Sequence, residues 1–177
     1  MKEIESKILG IDKKEIIAKL KKMGAKKSFD GIIQGEYFDF PNNKLDKNKE
    51  ILRLRTAGEK VFLTYKKKEK KESKVKCCEE KEIEVSNYDT LKEILLQIGL
   101  AVKKETLKKH RSSYSLGKTH FEIETPIREY SFIPPFMEIE SNSVENIYKY
   151  AKLLGYDEKN CLNWSGNDVI KFYKKKK

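Results

Sequence analysis

Residues 3–7 read EIESK, and the triplet EIE returns at 82–84, 122–124 and 138–140. Successive side chains of a strand point to opposite faces, so each copy sets two glutamates against one isoleucine. Glu3, Glu5 and Lys7 share a face opposite Ile4. The same sorting extends outward along the chain. Arg53 and Arg55 oppose Leu52 and Leu54, Thr64 and Lys66 oppose Leu63 and Tyr65, and Glu82 and Glu84 oppose Ile83 and Val85. Lys109 and Arg111 share a face, Glu122 and Glu124 oppose Phe121 and Ile123, and Glu138 and Glu140 oppose Met137 and Ile139.

Period-two alternation runs through 32–40, 51–56, 61–66, 78–85, 105–116, 119–125 and 136–141. With the first segment this makes about eight strands. Turn signals at Ala57-Gly58 and Leu116-Gly117-Lys118 join several of them as hairpins, so the sheet is expected to be largely antiparallel. Three segments carry helix signals. Asp12 caps a helix with Glu15 completing a capping box, Ile16, Ile17, Leu20 and Met23 on one face, and Gly24 closing it. A second helix is expected over 88–98 before Gly99, and a third from Ser143 to Gly155 with Ile147, Tyr150, Ala151 and Leu154 on one side. A short fourth is expected over 167–173. EIESK, EIEV and EIES each lead into a helix, which is an imperfect strand-then-helix repeat.

One such strand is ordinary as the wet side of a half-buried sheet, where mixed charges form cross-strand pairs worth about 0.2–1 kcal/mol. Here the shared-face positions are nearly all long and ionisable, and their signs are segregated by strand. That favours a sheet curled into a barrel, charged face inside and helices outside. The expected fold class is α+β, an eight-stranded antiparallel barrel with helices packed on its exterior. Its cavity would be lined by Glu3, Glu5, Glu82, Glu84, Glu122, Glu124, Glu138 and Glu140 with Lys7, Arg53, Arg55, Lys66, Lys109 and Arg111. So much enclosed charge is costly without a charged ligand. Arg and Lys grip phosphate oxygens, and carboxylates suit Mg²⁺ or Mn²⁺ bridging to those phosphates. A phosphate chain carrying a divalent metal answers both demands.

At 177 residues the chain is expected to be one domain, and its 38% hydrophobic content argues against disorder. No run of about 18 apolar residues suggests a membrane span, and the start MKEIESKILG lacks the apolar centre of a secretory signal. A cytoplasmic location is the expectation. Cys77, Cys78 and Cys161 fit neither a disulfide framework nor a zinc spacing and are read as reduced thiols. The net charge of +11 favours polyanionic partners. The runs 66–76 and 174–177 read as a solvated Lys-rich loop and a basic tail.

Glu3-Ile4-Glu5-Ser6-Lys7 resembles the ExExK signature of the CYTH superfamily, the triphosphate tunnel metalloenzymes. These include class IV adenylyl cyclases, thiamine triphosphatases, inorganic triphosphatases and fungal-type RNA triphosphatases. The resemblance continues through QGEYFDF (34–40), LRLR (52–55), LTYK (63–66), EIE (82–84), KKHR (108–111), FEIETP (121–126) and IPPFMEIES (133–141). It implies a single domain over 1–177 whose tunnel binds a triphosphate end-on with Mg²⁺ or Mn²⁺. Glu3, Glu5, Glu124 and Glu140 are the implied metal-binding acids. Glu124 stands where the family usually has aspartate, which lengthens the acid at a second-metal position. Arg53, Arg55, Lys66, Lys109 and Arg111 are the implied phosphate grip, and Lys7, Glu82 and Glu138 the implied catalytic set.

The implied reaction is hydrolysis of tripolyphosphate, a nucleoside triphosphate or thiamine triphosphate, with a carboxylate handling the attacking water. A cyclase making cyclic AMP and pyrophosphate from ATP is the nearest alternative, and needs a nucleobase contact that the sequence does not point out. A non-catalytic polyphosphate or nucleic-acid binder is the alternative from another class. No membrane partner is expected, and the chain is read as a monomer or homodimer. His110 and His120 lie on separate strands without a Ser or Cys at a recognisable spacing, so neither is assigned to catalysis. Phe38, Phe40, Tyr114, Phe132, Phe136 and Trp164 are read as packing residues, Ile133-Pro134-Pro135 as a fixed loop, and no GxxxxGK phosphate loop is present.

Overall fold

The structure, a computed structural model, describes residues 2–68 and 76–176; the side chains of 2, 3, 68 and 76–78 also fall outside the description. Its strands are β1 (Lys2–Leu9), β2 (Lys26–Asp39), β3 (Glu50–Ala57), β4 (Lys60–Lys68), β5 (Lys76–Val85), β6 (Ala101–Glu105), β7 (Lys109–Leu116), β8 (Thr119–Pro126) and β9 (Phe136–Ser141). Its helices are α1 (Lys13–Lys22), α2 (Lys44–Lys47), α3 (Tyr88–Gln97), α4 (Val144–Leu154) and α5 (Gly166–Lys174).

The strands pair antiparallel in the order β3-β4-β5-β1-β9-β8-β7-β2-β6, and β3 also pairs with β2. That last pairing joins the first strand of the order to the last but one, so eight strands follow one another around a ring and β6 attaches to β2 beside it. β2 makes this possible by its length of 14 residues. Residues 26–33 pair with β7, while 33–38 pair with β3. Gly35 sits at the seam opposite Arg55, where a Cβ would lie 2.2 Å from the Leu54 carbonyl oxygen. Only glycine allows the two backbones to meet there.

The outer wall carries the core. α1 and α4 lay Ile16, Leu20, Ile147, Ala151 and Leu154 over Ile8, Phe121, Ile123, Met137 and Ile139. Phe121 meets the Tyr150 ring edge-on, with centroids 5.4 Å apart. α3 covers the other side, packing Leu95 with Phe38, Leu54 and Val61, and Val169 of α5 packs with Leu107, Ile133 and Phe136. Local signals set these helices. The Asp12 side chain accepts the amides of Lys14 and Glu15 at 2.8 and 3.0 Å, and Ser143 accepts that of Asn146 at 3.2 Å. Gly155 ends α4 with φ of 98°, a conformation glycine adopts freely.

Several expectations are corrected. The eight-stranded ring is as expected, and β6 adds a ninth strand beside it among the described residues. The segment 105–116 is not one strand: it breaks between β6 and β7, where Thr106 turns inward to donate its amide to the Gly35 carbonyl at 2.8 Å. β2 begins at Lys26, six residues before its alternation becomes legible at 32. Glu15 pairs with Lys19 at 2.7 Å instead of closing a capping box. Lys66 to Lys68 and Lys76 belong to strands and not to a loop, and 69–75 lie outside the described residues. Lys174 is the last residue of α5, not part of a tail.

Candidate active site

The ionisable faces converge. Glu5 and Lys7 of β1, Glu138 and Glu140 of β9, Glu122 of β8, and Lys109 and Arg111 of β7 line a cavity of about 1310 Å³. Arg53 and Arg55 of β3, Thr64 and Lys66 of β4, and Glu80 and Glu82 of β5 line its opposite wall. Strand alternation accounts for this sorting, because the apolar neighbours of these residues are the ones that meet the helices.

One part of the wall is a dense buried ion network. Lys7 bonds Glu5 at 3.1 Å and Glu138 at 3.2 Å, and Lys109 reaches Glu124 at 2.7 Å and Glu138 at 3.8 Å. Arg111 holds Glu122 at 2.5 Å through one terminal nitrogen, while its Nε donates to Glu124 at 2.8 Å. Burial works against the charge on Lys7 and on Arg111, but the facing carboxylates outweigh it and hold both pKa values above the usual range. Burial also pushes the Glu138 carboxyl upward, and Lys7 and Lys109 overcome it, leaving its pKa well below the ordinary value. These groups are held by one another across β1, β9, β8 and β7.

The β3 arginines differ. Arg55 donates from Nη2 to both oxygens of Glu82 at 3.3 and 2.9 Å, and Arg53 donates to the Thr64 hydroxyl at 3.3 Å. Thr64 in turn donates to Glu82 at 2.5 Å. The Nε atoms of both arginines are buried without a hydrogen-bond partner among the described residues. Burial, then Arg53 and Arg111, lower the Arg55 pKa. Cationic capacity here exceeds the anions present.

Acid exceeds base at the other extreme. Glu140 stands directly across from Glu5 on the paired strand and makes no hydrogen bond or ion pair among the described residues. Its pKa is pushed up to about 7 by burial, then by Glu122 and, further down, Glu5, against the pull of Lys66. An added cation would restore its ionised form, and facing carboxylate oxygens are the donor set that Mg²⁺ and Mn²⁺ take. The residues therefore fit a hard divalent metal. Glu122, Glu124 and Glu138 also bring one oxygen each within 4.8 Å of one another, but these acids are occupied by Lys7, Lys109 and Arg111.

The structure thus brings together most residues singled out in the sequence. The Glu3 side chain lies outside the described residues, although its backbone continues β1 two residues before Glu5. Glu124 is fully buried and does not line the cavity; one of its oxygens has no partner among the described residues. Glu84 is displaced from the expected lining, pairing instead with Lys60 at 2.9 Å on the exposed surface. Glu80 was missed. It pairs with Lys66 at 2.8 Å inside the cavity, and its parity with Glu82 was the available signal. His120 lines the cavity with Nδ1 3.0 Å from the Ser115 hydroxyl, a partner supplied by the β7–β8 register and invisible as a sequence spacing.

The strands thus form an antiparallel tunnel whose inner wall is lined by carboxylates together with arginine and lysine. A family model for the CYTH domain matches residues 1–160, and the chain belongs to the CYTH family. No curated protein matches it in sequence. Among solved structures, it is similar to the PH1012 protein of Pyrococcus horikoshii, with a TM-score of 0.75 and 24% identity over 94% of this chain and 98% of the other. A candidate adenylate cyclase from Vibrio parahaemolyticus gives 0.77 and 17% over 96% and 97%. A candidate adenylyl cyclase from Hippeastrum, described as having a dominant triphosphatase activity, gives 0.60 and 16% over 86% and 88%. At these identities the likeness is one of fold. No described helix is long and apolar enough to cross a membrane.

Proposed function

We propose that the protein hydrolyses triphosphate compounds with the help of a divalent metal. The observation that carries this reading is the imbalance across one cavity: under-used arginines on β3 line the same cavity as Glu140, a carboxylate directly across from Glu5 that has no ion-pair partner among the described residues. A ligand that is a string of anions bearing a divalent cation relieves both. Arg53 and Arg55 would take phosphate oxygens as planar forks, joined by Lys66, Lys109 and Arg111 as further positive charge. Glu3, Glu5 and Glu140 would hold Mg²⁺ or Mn²⁺, which when bound neutralises charge on the transferred phosphoryl group. Lys7 and Glu138 fix each other and so hold the floor of the tunnel in one geometry, while Glu82, anchored to Arg55 and Thr64, orients the grip. Glu124, paired with Lys109 and Arg111, would support those cations. Positioning and electrostatics would supply most of the acceleration.

The test is a panel of tripolyphosphate, ATP and thiamine triphosphate incubated with protein and Mg²⁺ or Mn²⁺, with products separated by chromatography. Release of inorganic phosphate supports the hydrolase. Cyclic nucleotide with pyrophosphate from ATP would make it a cyclase instead. Binding without turnover, weakening steeply with salt, would point to the polyanion binder.

A further inference from the structure

The tunnel wall is built in cross-strand rows. One row runs Ser115, His120, Glu140, Glu5 over β7, β8, β9 and β1, each residue directly opposite the next. The row beside it runs Ser113, Glu122, Glu138, Lys7 over the same strands. Lys7 belongs to that second row, and Lys109 and Arg111 reach its two carboxylates, so its acids already have cations. The first row has no lysine or arginine of its own. It has an imidazole instead. His120 lines the cavity and is open to solvent. Its Nδ1 lies 3.0 Å from the hydroxyl of Ser115, whose own proton goes to the Ser28 hydroxyl at 3.5 Å. Nδ1–H then donates to Ser115, and Nε2 presents a lone pair with no hydrogen-bond or ion-pair partner among the described residues.

We infer that His120 is a metal ligand beside Glu140, and that the ion this chain takes is one that accepts nitrogen, Mn²⁺ in preference to Mg²⁺. The inference rests on the metal-bearing triphosphate reading above and names the class of ion for that site. Residues directly opposite on paired strands have Cβ atoms about 4.5–5.5 Å apart, so an imidazole and a carboxylate at those positions share the reach of one ion. Neutral imidazole is the commonest side-chain metal ligand. A ligating ring is ordinarily oriented by a hydrogen bond through its other nitrogen, which is the part Ser115 plays for His120. Mg²⁺ takes oxygen ligands, whereas affinity for sites with nitrogen donors rises across the first-row transition ions. One nitrogen in an otherwise carboxylate set therefore tilts the choice of ion and leaves room for phosphate oxygens. Among the described residues the donor atoms of His120, Glu140 and Glu5 do not all lie within 4.8 Å of one another, so ligation closes the row on the ion.

The test is pulsed electron paramagnetic resonance of protein without a histidine tag, loaded with Mn²⁺ and the non-hydrolysable imidodiphosphate, beside calorimetric titrations with Mn²⁺ and with Mg²⁺. The chain has two histidines, and the other, His110, pairs with Asp30 at 2.9 Å and does not line the cavity. Wild type should show the nuclear modulation of one imidazole nitrogen. His120→Ala should lose that signal and bind Mn²⁺ roughly tenfold or more weakly with Mg²⁺ affinity little changed, and His110→Gln should keep the signal. Either variant assigns the nitrogen if the other fails to fold, with melting temperature as the control. Mn²⁺ bound by wild type without nitrogen modulation, or modulation that survives His120→Ala or disappears in folded His110→Gln, overturns the assignment while leaving the carboxylate site intact. Failure of wild type to bind either ion overturns the metal reading itself, and the role of His120 with it.

Discussion

The last strand, β9, holds two proteins' worth of chemistry in six residues. Met137 and Ile139 face outward and are fully buried under α1 and α4, whereas Glu138 and Glu140 face inward and line the cavity. The backbone is shared, so the difference belongs to the side chains alone. The outward set holds the ring together by burial, at about 1.5–3 kcal/mol per large apolar side chain. The inward set divides again: Glu138 is compensated by Lys7 and Lys109, while Glu140 has no ion-pair partner among the described residues. One face stores stability and the other stores an unmet electrostatic demand.

Substitutions should separate these roles. Arg111→Ala has the largest expected effect, because it strands Glu122 in the wall and leaves Glu124 to Lys109 alone; urea unfolding should show a loss of about 3–5 kcal/mol together with loss of activity. Ile139→Ala should cost about 2–5 kcal/mol by the same measurement while the folded fraction keeps its turnover. Arg55→Ala should do the reverse, lowering kcat by roughly 10²–10³ with little change in melting temperature. A metal titration followed by thermal melting should stabilise wild type by about 2.7 kcal/mol at a hundredfold excess over Kd, and Glu140→Gln should abolish most of that gain. Lys60→Ala removes only the exposed pair with Glu84 and should shift stability by less than about 1 kcal/mol. A large effect there would mean that the exterior charges matter as the interior ones do.

Much of this division was legible in the sequence because it is local. Alternation assigns Met137 and Glu138 to opposite faces, and Asp12, Ser143 and Gly155 punctuate helices through contacts a few residues away. What is set by register across the ring was not legible. Glu84 and Glu140 occupy the same place in the same triplet, yet one ends in solvent and the other in the tunnel, because strand stagger decides their depth. Gly35 looks like any strand glycine until β2 meets β3 at Arg55. The first half of β2 was missed since Lys26, Lys27 and Ser28 are exposed and give no alternation. The break at 106–108 was hidden by a pattern that continues through it, and with it the placement of Thr106 and Leu107 in the cavity.

Calorimetric titration of the protein with tripolyphosphate, with and without Mg²⁺, tests the central claim most directly. One equivalent should bind, markedly tighter with the metal, and Arg55→Ala should remove the binding. Heat of binding that ignores both the metal and Arg55, or no binding at all, would contradict the account.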